Sequence, residues 1–476
     1  MLFQSWQYLL LLLMTFFCIS VIENTRFKQI VVLFFSLFFY AYGAAWQTIL
    51  FAIVILAAYL AARFLEKNKN RICFILCLIT LFLPLLLYKY VPFILSLIPQ
   101  MDESAYTRVF VLPIGISFYS FQAVGYIVDV YRGKSKAETD LISFACFISF
   151  FPQLVAGPIE RYDNLFMQIR EMRKTNYEMI AKGFRHIILG LCLKLLVAET
   201  MALFVDPIYN NLSGKSGLAV IIATICFGIQ IYCDFNGYTQ IAIGSASILG
   251  IKLMQNFNHP YTAASIGDFW RRWHISLTTW FRDYLYIPLG GNRKGQLRTA
   301  INSIVTFLVS GIWHGANWTF ALWGLANGMG MAIEKAYYER IIKKRYLKLG
   351  YAVCVLVFVN LCWVLFRANS LQDVVLCYRL MFTQTIPSTL SVTSLSAIIR
   401  FLLRECGWSV SSFPPAVVSF CIYWWYEYGF GRNKNLTACL WSEKGAVRWA
   451  SYIIIILATL YFGGTLQQSD FVYFRF

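Results

Sequence analysis

An all-α polytopic membrane protein is the fold class this sequence predicts, and three observations predict it. Of the 476 residues, 59% are hydrophobic and 18% aromatic, more apolar surface than a soluble domain can hide. Apolar runs of membrane-spanning length recur from the first residues almost to the last. The net charge of +18 is gathered in segments that flank those runs, where Lys and Arg mark the cytoplasmic side.

The runs cover residues 2–22, 30–46, 48–62, 72–98, 109–128, 184–205, 218–251, 299–333, 351–366, 414–426 and 447–460, and two of them are long enough for two passes. Since about 20 apolar residues cross a bilayer, this predicts about 11–13 transmembrane or re-entrant helices. No positive segment precedes the first run, so it is expected to stay as an anchor. Arg63, Lys67, Lys69 and Arg71 follow the third run, whereas Asp102 and Glu103 follow the fourth; the N-terminus is therefore expected outside. Counting on puts Arg132, Lys134 and Lys136 in the cytoplasm. The run 144–155 is too short to span comfortably and is ended by Pro152 and Gly157-Pro158, which suits a re-entrant segment. A mixed-charge stretch with Arg161, Arg170, Arg173, Lys174, Lys182 and Arg185 comes next.

From Ile266, the residues Phe269, Trp270, Trp273, Leu277, Trp280, Phe281 and Tyr284 fall on one helical stripe, with Arg271, Arg272 and Arg282 off it. This predicts a single amphipathic helix lying at the membrane interface or wedged between spans, capped by Ser265 with Asp268 and stopped by Pro288 with Gly290-Gly291. Lys335, Arg340, Lys343, Lys344, Arg345 and Lys348 form a further cytoplasmic cluster, and beyond residue 370 no sidedness is assigned.

Several function classes are unsupported. The 13 cysteines lie mostly in apolar runs without a C-x-x-C, so they read as small buried hydrophobes. Four histidines without H-x-x-x-H spacing give no metal site. The basic charge belongs to membrane topology and anionic lipid rather than nucleic acid. A Gly-x-Ser-x-Gly nucleophile elbow is missing.

What remains is an imidazole in an apolar segment. His314 lies within 299–333, and an intramembrane ionisable residue reads as a functional site with a partner. At helical spacing Ser310, Gly311, His314 and Asn317 would share one face, a narrow slot where small residues admit a ligand. The competing reading is a core histidine bonded to a neighbouring helix. His274 falls on or near the buried stripe. Asp234 with Asn236 forms a polar island in an apolar run, as does Asp129, and both carboxylates are expected to pair with arginines.

Seven collinear motifs complete the reading. Leu112-Pro-Ile-Gly-Ile-Ser-Phe-Tyr119, Tyr126-Ile-Val-Asp-Val-Tyr-Arg132 and Phe151-Pro-Gln-Leu-Val-Ala-Gly-Pro-Ile159 come first. Asp234-Phe-Asn-Gly-Tyr238, Phe269-Trp-Arg-Arg-Trp-His-Ile-Ser-Leu277, Phe281-Arg-Asp-Tyr-Leu-Tyr-Ile-Pro-Leu-Gly-Gly291 and Trp313-His-Gly-Ala316 follow. Together they resemble the membrane-bound O-acyltransferase (MBOAT) family, in its bacterial branch of alginate and peptidoglycan O-acetyltransferases. The resemblance implies helices around a tunnel with the active histidine at its waist. On it, His314 is the catalytic histidine and His274 the second histidine of the motif. Residues 1–476 are expected to form one integral-membrane domain, with peripheral N-terminal helices (1–100), a catalytic core (101–335) and C-terminal helices with the terminal aromatic motif (336–476).

The chemistry implied is acyl transfer from a thioester to a sugar hydroxyl, with His314 as general base and His274, aided by Asn317, orienting or polarising it. No bound cofactor is expected; acetyl-CoA is the implied donor substrate. Its phosphates would meet Arg271, Arg272, Arg282, Arg293 and Lys294, though positive-inside topology accounts for the same charge. The ending Phe471-Val-Tyr-Phe-Arg-Phe476 resembles that of acyl-transfer components in which the tyrosine takes up the acyl group, which makes Tyr473 a candidate carrier; the alternative is an interfacial aromatic anchor. The implied setting is the bacterial inner membrane, with a cell-envelope polysaccharide as acceptor and an SGNH-type acetyltransferase or esterase outside as partner. The rivals are a D-alanyl transferase for teichoic acid with the same fold and, in a different class, a transporter or flippase.

Overall fold

The computed structural model describes residues 1–43, 45–98, 109–155, 157–341, 345–385, 394–405, 408–429, 436–442, 444–464 and 471. Among the described residues the regular elements are all helical. Six helices among the described residues are long and apolar enough to cross a membrane: Gln47–Lys67, Arg71–Ser96, Tyr177–Tyr209, Gly217–Ile248, Lys348–Arg367 and Gly445–Gly463. The chain is thus an all-α polytopic membrane protein, its backbone groups satisfied within helices as a hydrocarbon solvent demands.

Other apolar runs build shorter or broken helices. The run read as re-entrant becomes Leu141–Ser149 and Phe151–Leu154, parted at Phe150, with Pro152 in the first turn of the second, where a missing N–H costs nothing. The stripe from Ile266 is likewise divided. It forms Ile266–Arg272 and Ile275–Phe281, with His274 between them in the left-handed region at φ 44°. This corrects the expectation of one continuous helix: apolar periodicity runs on across the break, so the pattern conceals it.

Two compact units emerge, residues 1–187 with 238–256 and residues 188–237 with 257–476. In the first, Asp140 caps Leu141–Ser149 through the Ile142 and Ser143 N–H groups and pairs with Arg26. Tyr126 sits among the rings of Phe144, Phe147 and Tyr162. Leu10, Phe17, Ile53, Leu60, Ile79 and Leu86 are exposed, as side chains that face lipid must be.

In the second unit the helices Gly295–His314 and Trp318–Ile341 form a tight hairpin. A Cβ on Gly311 would lie 2.2 Å from the Phe320 carbonyl oxygen, and one on Gly324 only 2.3 Å from that of Phe307. Glycine lets the two backbones touch, and dispersion between them replaces the hydrophobic drive that lipid cannot supply. His314 is the last residue of the first arm.

Candidate functional site

His274 owes its position to the helix before it. Ser265 caps Ile266–Arg272 by accepting from the Asp268 N–H, as its sequence predicts. The Glu334 carboxylate accepts the N–H groups of Ile266 at 2.5 Å and Gly267 at 2.7 Å, and the Tyr351 hydroxyl donates to it at 2.7 Å. Negative charge there answers the positive end of the helix dipole. The helix ends at Trp273, and the left-handed turn at His274 directs the imidazole inward, edge-on to Phe235 at 4.7 Å between ring centroids. The ring is 1% exposed. It lies outside the six candidate spans, and burial pushes its pKa down to about 3, so it is neutral at physiological pH.

His314 is held by aromatic edges: Trp313 at 4.9 Å, Trp323 at 5.2 Å and Phe366 at 5.4 Å. Gly315 ends its helix in an extended conformation, its N–H reaching the Gly311 carbonyl. Both histidines line one pocket of about 250 Å³, with Ser310 on its wall. Arg271 and Arg282, whose side chains are 71% and 59% exposed, also line it, as does Lys335. The Lys335 ammonium donates to Tyr286 Oη at 3.0 Å and Ser303 Oγ at 3.1 Å and lies 4.6 Å from the Tyr286 ring centroid. A chamber with two imidazoles and a cationic rim can deprotonate a hydroxyl at one end and hold a phosphorylated carrier at the other.

Other residues singled out in the sequence lie elsewhere. Asn317 does not share a helical face with His314. The helix stops at Gly315, and Asn317 leads into the next one, its Oδ1 accepting from the Thr319 N–H at 3.2 Å. Arg272 turns to Asp268 and Thr262, and neither it nor Arg293 nor Lys294 lines the pocket. Among the described residues Asp234 pairs with Lys194, 2.8 Å away, in place of the expected arginine, and Lys194 also meets Glu199 at 2.8 Å. These three side chains are at most 1% exposed, and Lys194 sits in a π-helical stretch, Cys192–Ala198. Asn236 donates to Tyr426 Oη at 2.7 Å. Asp129 pairs with Lys134. Tyr473 lies outside the described residues, although Phe471, two positions before it, is buried with its ring 5.8 Å from Phe235.

Trp270, Tyr286, Ser303 and Lys335 also stand on the pocket wall, and sequence reasoning does not nominate them for the site. Lys335 is visible in the sequence as the first residue of a basic cluster, but topology alone explains that cluster. Among the described residues no group of three or more His, Cys, Asp or Glu could hold a metal ion.

The family model of the membrane-bound O-acyltransferases matches residues 74–372. The chain belongs to that family. It is 36% identical over 393 residues to a probable alginate O-acetylase, AlgI, of Pseudomonas aeruginosa, covering 80% of this chain and 75% of the relative. It is 33% identical to the peptidoglycan O-acetyltransferase of Helicobacter pylori over 74% of this chain and 73% of that one. To the teichoic acid D-alanyltransferase of Bacillus subtilis it is 29% identical, over 63% and 75% respectively. The chain is therefore a membrane-embedded O-acyltransferase, and the matched region contains both histidines of the pocket.

Proposed function

We propose that this O-acyltransferase takes an acetyl group from acetyl-CoA on the cytoplasmic side and passes it outward for O-acetylation of a cell-envelope polysaccharide. The observation that carries the reading is the single pocket that holds His314 and His274 behind a rim of Arg271, Arg282 and Lys335. In it the CoA phosphates would meet the cationic rim while the pantetheine arm brings the thioester inward. The pocket is then the donor end of a passage, and the acceptor approaches His314 from its other side.

His314 accepts the hydroxyl proton as the oxygen attacks the thioester carbonyl. The carbon–sulfur bond breaks, and the same proton passes from His314 to the departing thiolate, giving ester and free CoA. Neutral His274 keeps one ring N–H, which can donate a hydrogen bond to the oxyanion. The relatives named as O-acetyltransferases are more identical to this chain than those named as D-alanyltransferases, which favours acetyl over D-alanyl as the cargo. The bacterial inner membrane and an SGNH-type partner outside it belong to the same reading.

The test is turnover of labelled acetyl-CoA by purified protein. His314→Ala that inserts and elutes like the wild type should lose about 10²–10⁴-fold in rate, the range for a general base. Undiminished acetyl transfer by that variant would overturn the assignment, and acetate tracing into the envelope polymer separates acetylation from D-alanylation.

A further inference from the structure

A second site lies in the first unit and shares no residue with the histidine pocket. It is a cavity of about 100 Å³, several times the ~15 Å³ that one water needs. Ile19 and Leu249 form apolar walls, and Lys28, Arg173, Lys174 and Thr175 supply the polar ones. Lys28 is only 4% exposed, yet among the described residues its ammonium makes one hydrogen bond, a long one of 3.4 Å to the Met172 carbonyl oxygen. Three donors and a full charge are too much for one neutral acceptor. The Thr175 hydroxyl, on the same cavity wall, is buried and has no hydrogen-bond partner among the described residues.

The neighbouring charges do not answer Lys28. Lys174 pairs with Glu23 at 3.3 Å and Arg173 with Glu171 at 2.7 Å, whereas among the described residues Lys28 makes no ion pair. Backbone shape supports a built cavity. Met172 takes a left-handed conformation at φ 39°, and Gly250 at φ 83° has no Cβ, where one would come within 3.0 Å of the Arg173 carbonyl oxygen. Gly250 thereby lets the 173–175 segment, whose residues line the cavity, pack close against its backbone. With the N-terminus outside, as the charge pattern predicts, the turn between helices Trp6–Val21 and Thr25–Gly43 falls on the cytoplasmic side, where anionic headgroups are concentrated, and so does the basic segment before Tyr177 if 144–155 is re-entrant.

We infer that this cavity binds a phosphate group, with Lys28 as its buried counter-ion, Thr175 as a hydroxyl donor and Arg173 and Lys174 at the rim. A phosphate oxygen accepts from an ammonium and a hydroxyl together, and an apolar back wall strengthens both bonds. The group can come from an anionic phospholipid or from free phosphate.

Native mass spectrometry of the full chain, released from phosphatidylcholine nanodiscs with and without phosphatidylglycerol, tests it. One phosphatidylglycerol should stay bound per chain, and retention should fall at least tenfold in Lys28→Met and severalfold in Thr175→Val. Arg173→Gln, at a side chain 81% exposed, guards against misfolding and should weaken retention with unchanged thermal stability. If millimolar inorganic phosphate instead raises the melting temperature of the wild type but not of Lys28→Met, and no lipid is retained, free phosphate is the ligand. Neither effect in the wild type, or equal effects in wild type and Lys28→Met, would overturn the proposal.

Discussion

The Glu334 carboxylate accepts the backbone N–H of Gly267 at 2.7 Å, so a side chain of one helix grips the first turn of another. Ile266 and Tyr351 donate to the same carboxylate, and the gripped helix carries Trp270 and Arg271 to the pocket wall. Hydrogen bonds to a charged group contribute about 1.5–3 kcal/mol each. Glu334→Ala should therefore lower the melting temperature and raise KM for the acyl donor together, whereas Glu334→Gln, which keeps an acceptor, should recover part of both. A Glu334→Ala protein with the wild-type KM would show that the helix end does not set the rim.

The buried group of Lys194, Glu199 and Asp234 makes a prediction about stability alone. Lys194→Met would leave two carboxylates in a place closed to water, at a cost of about 3–5 kcal/mol. Combining Lys194→Met with Glu199→Gln and Asp234→Asn removes charge throughout and should regain most of the loss. Thermal unfolding in detergent reads both. Equal damage from the single and triple variants would mean that shape rather than charge holds the three helical segments.

His274 makes the fold sensitive to acid. Its ring titrates near 6.5 when unperturbed but at about 3 when buried, so the unfolded chain binds a proton that the folded chain refuses. The stability this difference confers is complete above about pH 6.5 and declines as pH falls toward 3. His274→Gln should have a flatter stability profile than the wild type between pH 7 and 4, with the two curves converging at the acid end. Parallel profiles would place the acid sensitivity elsewhere.

How much of this the sequence discloses depends on how local each cause is. The Ser265 cap is legible because donor and acceptor lie three residues apart. The turn at His274 is not, because apolar spacing survives it and a left-handed φ at a histidine leaves no mark in a periodicity. Asn317 is misplaced by helical spacing for a related reason: Gly315 passes for a small helical residue, and its backbone leaves the helix instead. Lys194 and Asp234 are 40 residues apart, and nothing in a run of leucines and valines announces a partner across that distance. The pocket brings together His274, His314 and Lys335 from three helical segments, so composition can nominate the histidines while the neighbouring lysine passes as a topology signal.

The glycine contact beneath His314 yields the most demanding test. Adding a methyl group at Gly311 would place carbon 2.2 Å from the backbone oxygen of Phe320, a distance no side-chain rotation relieves. The hairpin must open, at a cost of about 1–3 kcal/mol or more, and His314, three residues on, must move with it. Displacements near 1 Å at a reacting group cost about 10²-fold in rate. Gly311→Ala should thus lose turnover far out of proportion to its loss of stability, while Gly350→Ala, where nothing lies within 4 Å of the added carbon, should lose neither. The measurement is kcat against melting temperature for both variants. A Gly311→Ala enzyme that melts early yet turns over at the wild-type rate would separate the hairpin from the chemistry, and the close approach would then serve packing alone.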